Sequence, residues 1–115
     1  MATTAQASGT QTATVTTEHQ VADVAAAGVF SFHVDVNAMA AGDVTEFRVY
    51  QMVLTAGTSR VLFVHVLYGA QPTDDKVLVS VPIGNELTDA TSLRFSIKQS
   101  FGTGRAYPWK VLKYA

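Results

Sequence analysis

Three histidines are the side chains of this sequence best suited to metal binding or acid–base chemistry, and each lies on a different predicted strand. His33 shares one face of its strand with Asp35, whereas His19 and His65 have no carboxylate at a short fixed spacing. The sequence contains no HxH or HExxH pattern of the kind that places two zinc ligands on one element. We therefore interpret the histidines as solvent-facing strand residues and expect neither a metal nor any other cofactor.

Two pairs of acids and one glycine-rich turn are the other candidates for chemistry. The pairs Asp74/Asp75 and Glu86/Asp89 lie in loops of turn-forming composition, where solvated acids are common. The run Gly102–Arg105 resembles a phosphate loop only superficially, because it lacks the GxxxxGK[ST] spacing and opens no helix. The sequence has no GxSxG pattern, and no hydroxyl pairs with a histidine at a recognisable spacing. We therefore expect no catalytic residue and no enzymatic activity.

Length and composition point to one domain with a real hydrophobic core. The chain has 115 residues, of which 48% are hydrophobic, and it contains no cysteine for disulfides or thiolate metal sites. The net charge of −1 gives no electrostatic reason to expect nucleic acid or a membrane surface as a partner. The first residues have neither a basic start nor an apolar segment, so we expect no secretory signal.

The segment Val44–Tyr68 is the strongest hairpin signal in the sequence. Two apolar runs, rich in β-branched and aromatic residues, flank a Thr-Ala-Gly-Thr turn in which Gly57 is expected to supply a positive φ. The first run alternates as a half-buried strand does. The second run is almost continuously apolar, which predicts a strand covered on both sides in the middle of a sandwich or barrel.

Period-two alternation elsewhere predicts a single antiparallel β-sandwich of about seven strands, jelly-roll or immunoglobulin-like, over residues 13–115. Its first strand is expected at Ala13–Val21, and Val77, Val79, Val81 and Ile83 are expected to point inward. Met39 is expected to close one edge of the core. The residues predicted to form the core are Phe30, Phe32, Phe47, Val49, Leu62, Val64, Phe95 and Ile97.

Residues 1–12 are predicted to form an extended N-terminal arm. They carry no charge and no large apolar group except the first methionine, so they contribute little to a core. Such a segment suits a groove or the edge of a neighbouring sheet, and deleting residues 2–12 is expected to change the melting temperature by only a few degrees. The candidate partner-binding residues of this arm, and of the loop at 84–91, are Thr3, Thr4, Gln6, Ser8, Thr10, Gln11, Asn85 and Glu86.

Aromatic residues near the end of the chain leave a carbohydrate-binding module as an alternative. Tyr107, Trp109 and Tyr114 could stack on sugar rings if they were exposed on a sheet. However, Tyr107 and Trp109 share a face with Val111, which is the pattern of a core or interface strand.

Two stretches of the chain carry more specific patterns. Val34–Val49 reads VDVNAMAAGDVTEFRV and is followed by TAGTSR at 55–60, and Ile97–Leu112 reads IKQSFGTGRAYPWKVL. Together they resemble a family of small proteins encoded among the structural genes of tailed bacteriophages, including phages of cyanobacteria and other aquatic or soil bacteria. The family pattern combines VD(V/L), LAAGD and E(F/L)R with a closing (L/I)KQ, GTGR and (P/D)WxV(L). Met39 stands where leucine is more usual, and the resemblance covers about residues 29–114.

The resemblance implies a non-enzymatic virion component and, most specifically, a capsid decoration (cement) protein on the outer surface of the phage head. Its implied partners are the major capsid protein and copies of the same chain, in a homo-oligomer for which a trimer is favoured over a dimer. The implied location is the virion, after synthesis in the host bacterial cytoplasm. A tail, neck or fibre subunit and the carbohydrate-binding module are the alternatives.

Overall fold

The computed structural model describes residues 3–114, which form nine β-strands and no helix. The first two residues of the predicted arm and the last residue of the predicted domain lie outside this range. In chain order, the strands are β1 Thr3–Thr12, β2 Glu18–Val24, β3 Gly28–Asp35, β4 Val44–Met52, β5 Ser59–Tyr68, β6 Val77–Val79, β7 Ile83–Asn85, β8 Leu93–Phe101 and β9 Ala106–Tyr114.

Two antiparallel sheets pair strands that are distant in sequence. The first sheet has the order β1-β9-β3, with β6 and β7 both on the far side of β3, and the second has the order β2-β8-β4-β5. The pairs are nested: β1 pairs with β9, β2 pairs with β8, and β3 pairs with β6 and β7, which together act as one interrupted strand. This nesting continues inward to the hairpin of β4 and β5. The predicted single antiparallel sandwich is confirmed, and its strand order is that of a jelly roll.

The core lies between the two sheets and consists mainly of residues that alternate along β3, β4, β8 and β9. Phe32 of the first sheet packs against Phe95 of the second, with ring centroids 5.2 Å apart. Phe47 meets Tyr107 edge-on at 6.0 Å. Met39 is buried as predicted. The predicted core residues that are confirmed as buried are Phe30, Phe32, Phe47, Val49, Phe95 and Ile97.

The other two predicted core residues were wrong, because Val64 lies opposite Arg48 on the outer face of the second sheet and Leu62 lies at a bulge. Leu62 and Val64 are 48% and 47% exposed. The residues of β5 that pack on the core are instead Phe63 and Leu67, and a bulge near Leu62 shifts the register against β4. A continuous apolar run carries no alternation, so it could not show which residues face inward or that the strand lies at an edge.

The alternation of β6 was also predicted in the wrong sense. Val77, Val79 and Val81 are each about half exposed, although Ile83 is buried as expected. Leu78 packs on the core, and the interior accepts Ser80 because its hydroxyl is hydrogen-bonded. That hydroxyl accepts from the Phe32 amide at 2.9 Å and donates to the Val81 carbonyl at 3.0 Å. Satisfied polar contacts therefore outweighed the apolar pattern.

The turn of the central hairpin uses a different residue from the one predicted. Ala56, with φ of 58°, adopts the left-handed conformation that was expected of Gly57. Gly57 is instead needed for a close approach, because a Cβ at this position would lie 2.8 Å from the Leu54 carbonyl oxygen.

The extended N-terminal arm is not confirmed, because Thr3–Thr12 is strand β1 of the first sheet. It pairs with β9 along its length, from Thr3 beside Tyr114 to Thr12 beside Ala106. Residues 13–17, expected to begin a strand, form a turn between β1 and β2 in which Thr16 has a φ of 73°. Main-chain hydrogen bonds order β1 without large apolar side chains, which is why its composition gave no signal.

The pairing of β1 with β9 changes the expected effect of an N-terminal deletion. Removing residues 2–12 uncovers the edge of β9 and one side of Trp109, so we expect the melting temperature to fall by roughly 10 °C or more. Thermal unfolding followed by circular dichroism measures this. A control in which the same residues are scrambled, with Gly9 kept opposite Trp109, should unfold near the parent temperature because the backbone makes the pairing. An unchanged melting temperature after the deletion would contradict the pairing of β1 with β9 and favour a free arm.

Candidate functional site

A buried carboxylate joins three segments at one end of the sandwich. Asp43 is 1% exposed and follows the turn before β4. Its side chain accepts hydrogen bonds from the Ala40 amide at 2.9 Å, the Thr103 amide at 3.3 Å and Arg105 Nε at 2.8 Å. The Asp43 carbonyl also accepts from the Gly69 amide at 2.8 Å. One residue therefore ties together the turns that precede β4, follow β5 and join β8 to β9.

Gln99 extends this group into the core. Its side chain is fully buried, and its amide nitrogen donates to the carbonyls of Phe101 at 3.0 Å and Thr103 at 2.6 Å. Its oxygen accepts from the Arg105 amide at 3.1 Å and from the Tyr107 hydroxyl at 3.2 Å. We call Asp43, Gln99, Thr103 and Arg105 the Asp43 cluster.

The cluster explains both patterns of the sequence resemblance as structural features. The AAGD pattern supplies Asp43, and the KQ and GTGR patterns supply Gln99, Thr103 and Arg105. Gly102 has a φ of 94°, and a Cβ there would overlap the Asp43 carboxylate, so the glycine is required by the same contact. The glycine-rich run joins β8 of the second sheet to β9 of the first, and the sequence could not show that the two patterns meet there.

The pKa of Asp43 reflects two opposing effects. Burial by itself raises this pKa, but the hydrogen bonds from Arg105 and from the Ala40 and Thr103 amides outweigh burial and hold it below its ordinary value. The carboxylate therefore stays ionised in the fold.

A hydroxyl and a histidine that sequence analysis did not pair are adjacent on the outer face of the first sheet. Ser31 Oγ lies 2.8 Å from His33 Nε2 and 2.9 Å from the Tyr114 hydroxyl. Burial lowers the pKa of His33, and the charge of Lys110 lowers it further. However, Ser31 is fully buried, so its hydroxyl cannot reach a substrate. The arrangement orders the sheet surface and offers no accessible nucleophile.

The outer face of the second sheet carries a compact ionic group. Glu18 accepts hydrogen bonds from Tyr50 at 2.5 Å and Ser96 at 2.7 Å, and it lies 3.4 Å from Arg48. Burial tends to raise the pKa of Glu18, but these hydrogen bonds and the charges of Arg48 and Lys98 hold it below its ordinary value. Each acceptor is matched to a donor of its own chain, so the group holds β2, β4 and β8 together.

Of the two candidate residues predicted for a loop at 84–91, Asn85 instead ends strand β7, and only Glu86 lies in the loop that follows. Asn85 is buried and donates to the carbonyls of Ala26 at 2.9 Å and Leu87 at 3.2 Å, so it holds the loop and presents nothing to a partner. Glu86 is exposed, beside a shallow depression that Val53 also lines. Of these two candidates, only Glu86 is therefore accessible to a partner.

The six arm candidates all lie on β1. Five of them are exposed, namely Thr3, Thr4, Gln6, Ser8 and Thr10. Gln11 is half-buried, and its amide donates to the Thr12 carbonyl at 3.0 Å. The side chains are thus available, but as parts of a strand whose inner edge is already paired with β9.

The aromatic residues considered for carbohydrate stacking are mostly unavailable. Tyr107 is fully buried, and Trp109 packs on the core with Gly9 across its ring. Tyr114 is 37% exposed and its hydroxyl contacts Ser31. The three rings therefore form no exposed platform.

Two long outer strands remain, one in each sheet. Among residues 3–114, no strand pairs with the outer side of β1 or with the outer side of β5. The edge of β1 is neutral and polar, whereas the edge of β5 is apolar. Free main-chain donors and acceptors at such edges are the features of this structure best suited to binding another protein.

Within the described part of the chain, no group of three or more histidines and acids is arranged to hold a metal ion. The residues from Thr3 to Tyr114 also include no helix that is long and apolar enough to cross a membrane. Comparison with protein-family models, with curated proteins and with solved structures found no match.

Replacing the carboxylate of the Asp43 cluster should be costly. In Asp43→Asn, an amide NH₂ replaces one of two oxygens that both accept hydrogen bonds, so in either orientation it faces a donor, and Arg105 loses the negative charge beside it. We expect a loss of about 2–3 kcal/mol in the free energy of unfolding near neutral pH, measured by urea denaturation. Glu86→Gln, which makes the same carboxylate-to-amide exchange at an exposed position, is the matched control and should change little.

Acid should remove the same contribution from the parent protein. Because the folded pKa of Asp43 is lowered, its stabilisation is complete above the unfolded pKa and is lost as the pH falls through the folded pKa. The difference in stability between the parent and Asp43→Asn should therefore shrink below about pH 4. A difference that stays constant down to pH 2 would contradict the assignment.

Proposed function

We propose that this protein is a structural component of a tailed-phage virion and acts as a decoration protein on the head. The sequence resemblance supports the virion assignment, and the jelly roll is an architecture that capsid proteins often use. Because a fold by itself does not define a function, the proposal depends on the surfaces of the chain.

The observation that carries the proposal is the open edge of β1. Ten consecutive residues, Thr3–Thr12, present one row of main-chain groups outward and carry no charge. Natural proteins usually protect such edges with lysine, proline or a covering element. An unprotected polar edge suits the addition of a strand from a capsid subunit, with affinity from the main chain and little demand on side-chain identity.

The rest of the fold supplies the rigidity that a clamp between capsid subunits needs. The turns at one end are held by the Asp43 cluster, and those at the other end by Asp89, which accepts from the Thr55 hydroxyl and the Ala56 amide, both at 2.8 Å. Because β1 is already ordered by its pairing with β9, it loses little further entropy when it binds, so more of the contact energy remains for attachment.

Attachment through β1 predicts that charge on this edge blocks binding. Thr4→Lys/Thr10→Lys places two lysines on exposed positions of β1, whereas Thr17→Lys/Thr58→Lys adds the same charge at exposed loop positions. Purified heads of the source phage, stripped of this protein, are incubated with each variant, and bound copies are counted by quantitative mass spectrometry. We expect the β1 variant to lose at least about 90% of its occupancy and the loop variant to bind like the parent.

The copy number separates the proposed role from its alternatives. Hundreds of parent copies per head support decoration, whereas a few copies localised to the tail or neck would identify another virion part. Equal binding by both lysine variants would contradict attachment through β1. Absence of parent binding to heads, together with specific binding on a glycan array, would favour the carbohydrate-binding alternative.

A further inference from the structure

The outer edge of β5 differs from every expectation for a strand that faces only water. Its exposed apolar side chains are Val61, Leu62, Val64 and Tyr68, with exposed fractions of 48%, 48%, 47% and 72%. They flank the unpaired main-chain row of the strand, and most of them lie on the outer face of the second sheet. The ten residues of β5 include no lysine, proline or acid, so protection of the edge is limited to Arg60 at the start of the strand and to the bulge near Leu62. We call the unpaired main-chain row of β5, together with these four side chains beside it, the β5 edge.

Apolar surface continues from the β5 edge onto the neighbouring edge of the first sheet. Val77 and Val79 of β6 are 51% and 50% exposed, and with His65 and Leu67 of β5 they line one groove of about 300 Å³. Gln71 and Asp75 also line this groove, so the surface between the two sheets beside β5 is partly polar and carries a negative charge.

We infer that the β5 edge is the contact between two copies of this chain, which pair their β5 strands antiparallel about a two-fold axis. Such a contact pairs the β5 edge of one copy with the β5 edge of the other. Both β5 edges are then covered, so this contact closes at a dimer and does not continue into a fibre. It joins the two four-stranded second sheets into one continuous sheet across the dimer.

The charges beside the β5 edge favour a second copy as the occupant. Arg60 lies at the start of β5, and the acids Asp74 and Asp75 lie in the exposed loop that follows its end. Lys76, the other charge of that loop, donates to the Gln71 carbonyl at 2.7 Å. Antiparallel pairing brings the start of each β5 to the end of its partner, so Arg60 of each copy approaches Asp74 and Asp75 of the other. Within β5, the only other ionisable side chains are His65, which stacks on Phe63 of its own strand, and Tyr68.

The test uses the isolated full-length protein, so its outcome is independent of attachment to heads. Sedimentation equilibrium between about 1 and 100 μM should give a dimer. Leu62→Lys places a charge at the bulge in the middle of the edge, and Leu54→Lys makes the same exchange at the exposed hairpin tip. We expect the first variant to raise the dimer dissociation constant at least about tenfold and the second to leave it unchanged.

A charge exchange provides a second readout that does not depend on the fold of one variant. Arg60→Asp should weaken the dimer, and adding Asp75→Arg in the same chain should restore it, with both effects diminishing at high salt. A monomer at 100 μM would overturn the inference, as would the trimer favoured on sequence grounds. A dimer that Leu62→Lys leaves intact would also overturn it, since another surface would then hold the copies together.

Discussion

Burial of the Asp43 carboxylate is the constraint on which the loops of this sandwich depend. A jelly roll made of nested hairpins has its turns at two ends, and the turns at one end must be fixed relative to each other. Here one ionised side chain accepts from two turns, and its backbone accepts from a third. Gln99 then satisfies the carbonyls and amide that the β8–β9 turn would otherwise bury without partners. Such groups are costly to disturb because each oxygen is already committed.

The elements that alternation predicted well are those with one face in the core. In β3, β4, β8 and β9, apolar residues at every second position identify the inner face, and the buried rings of Phe32, Phe47 and Phe95 agree with it. Alternation failed in β5, where both faces are apolar, and around β6, after which Ser80 is buried because its hydroxyl finds main-chain partners. It could not detect β1, because that strand is ordered by its backbone. For edge strands, therefore, the alternation of side chains does not predict the position of the strand in the fold.

The candidate site was predictable only in part. Composition drew attention to residues 1–12 as a free arm, but the sequence could not show that Thr3–Thr12 joins a sheet and leaves its other side open. Asn85 was chosen because it lies in a loop, yet its side chain is used internally. The apolar edge of β5 was visible as composition and was read as buried core. What was missing in each case is the strand order, which depends on contacts between distant parts of the chain.

Nested pairing also has a consequence for the order in which the chain can fold. The hairpin of β4 and β5 is local and can form early, whereas β1 must wait until β9 has left the ribosome. Throughout synthesis, β1 is an unpaired strand in a crowded solution. A segment of threonine, glutamine, serine, alanine and glycine is poorly suited to premature apolar association during that delay. The uncharged, polar composition of β1 thus suits its synthesis as well as its position in the sheet, because β1 stays longest without a partner.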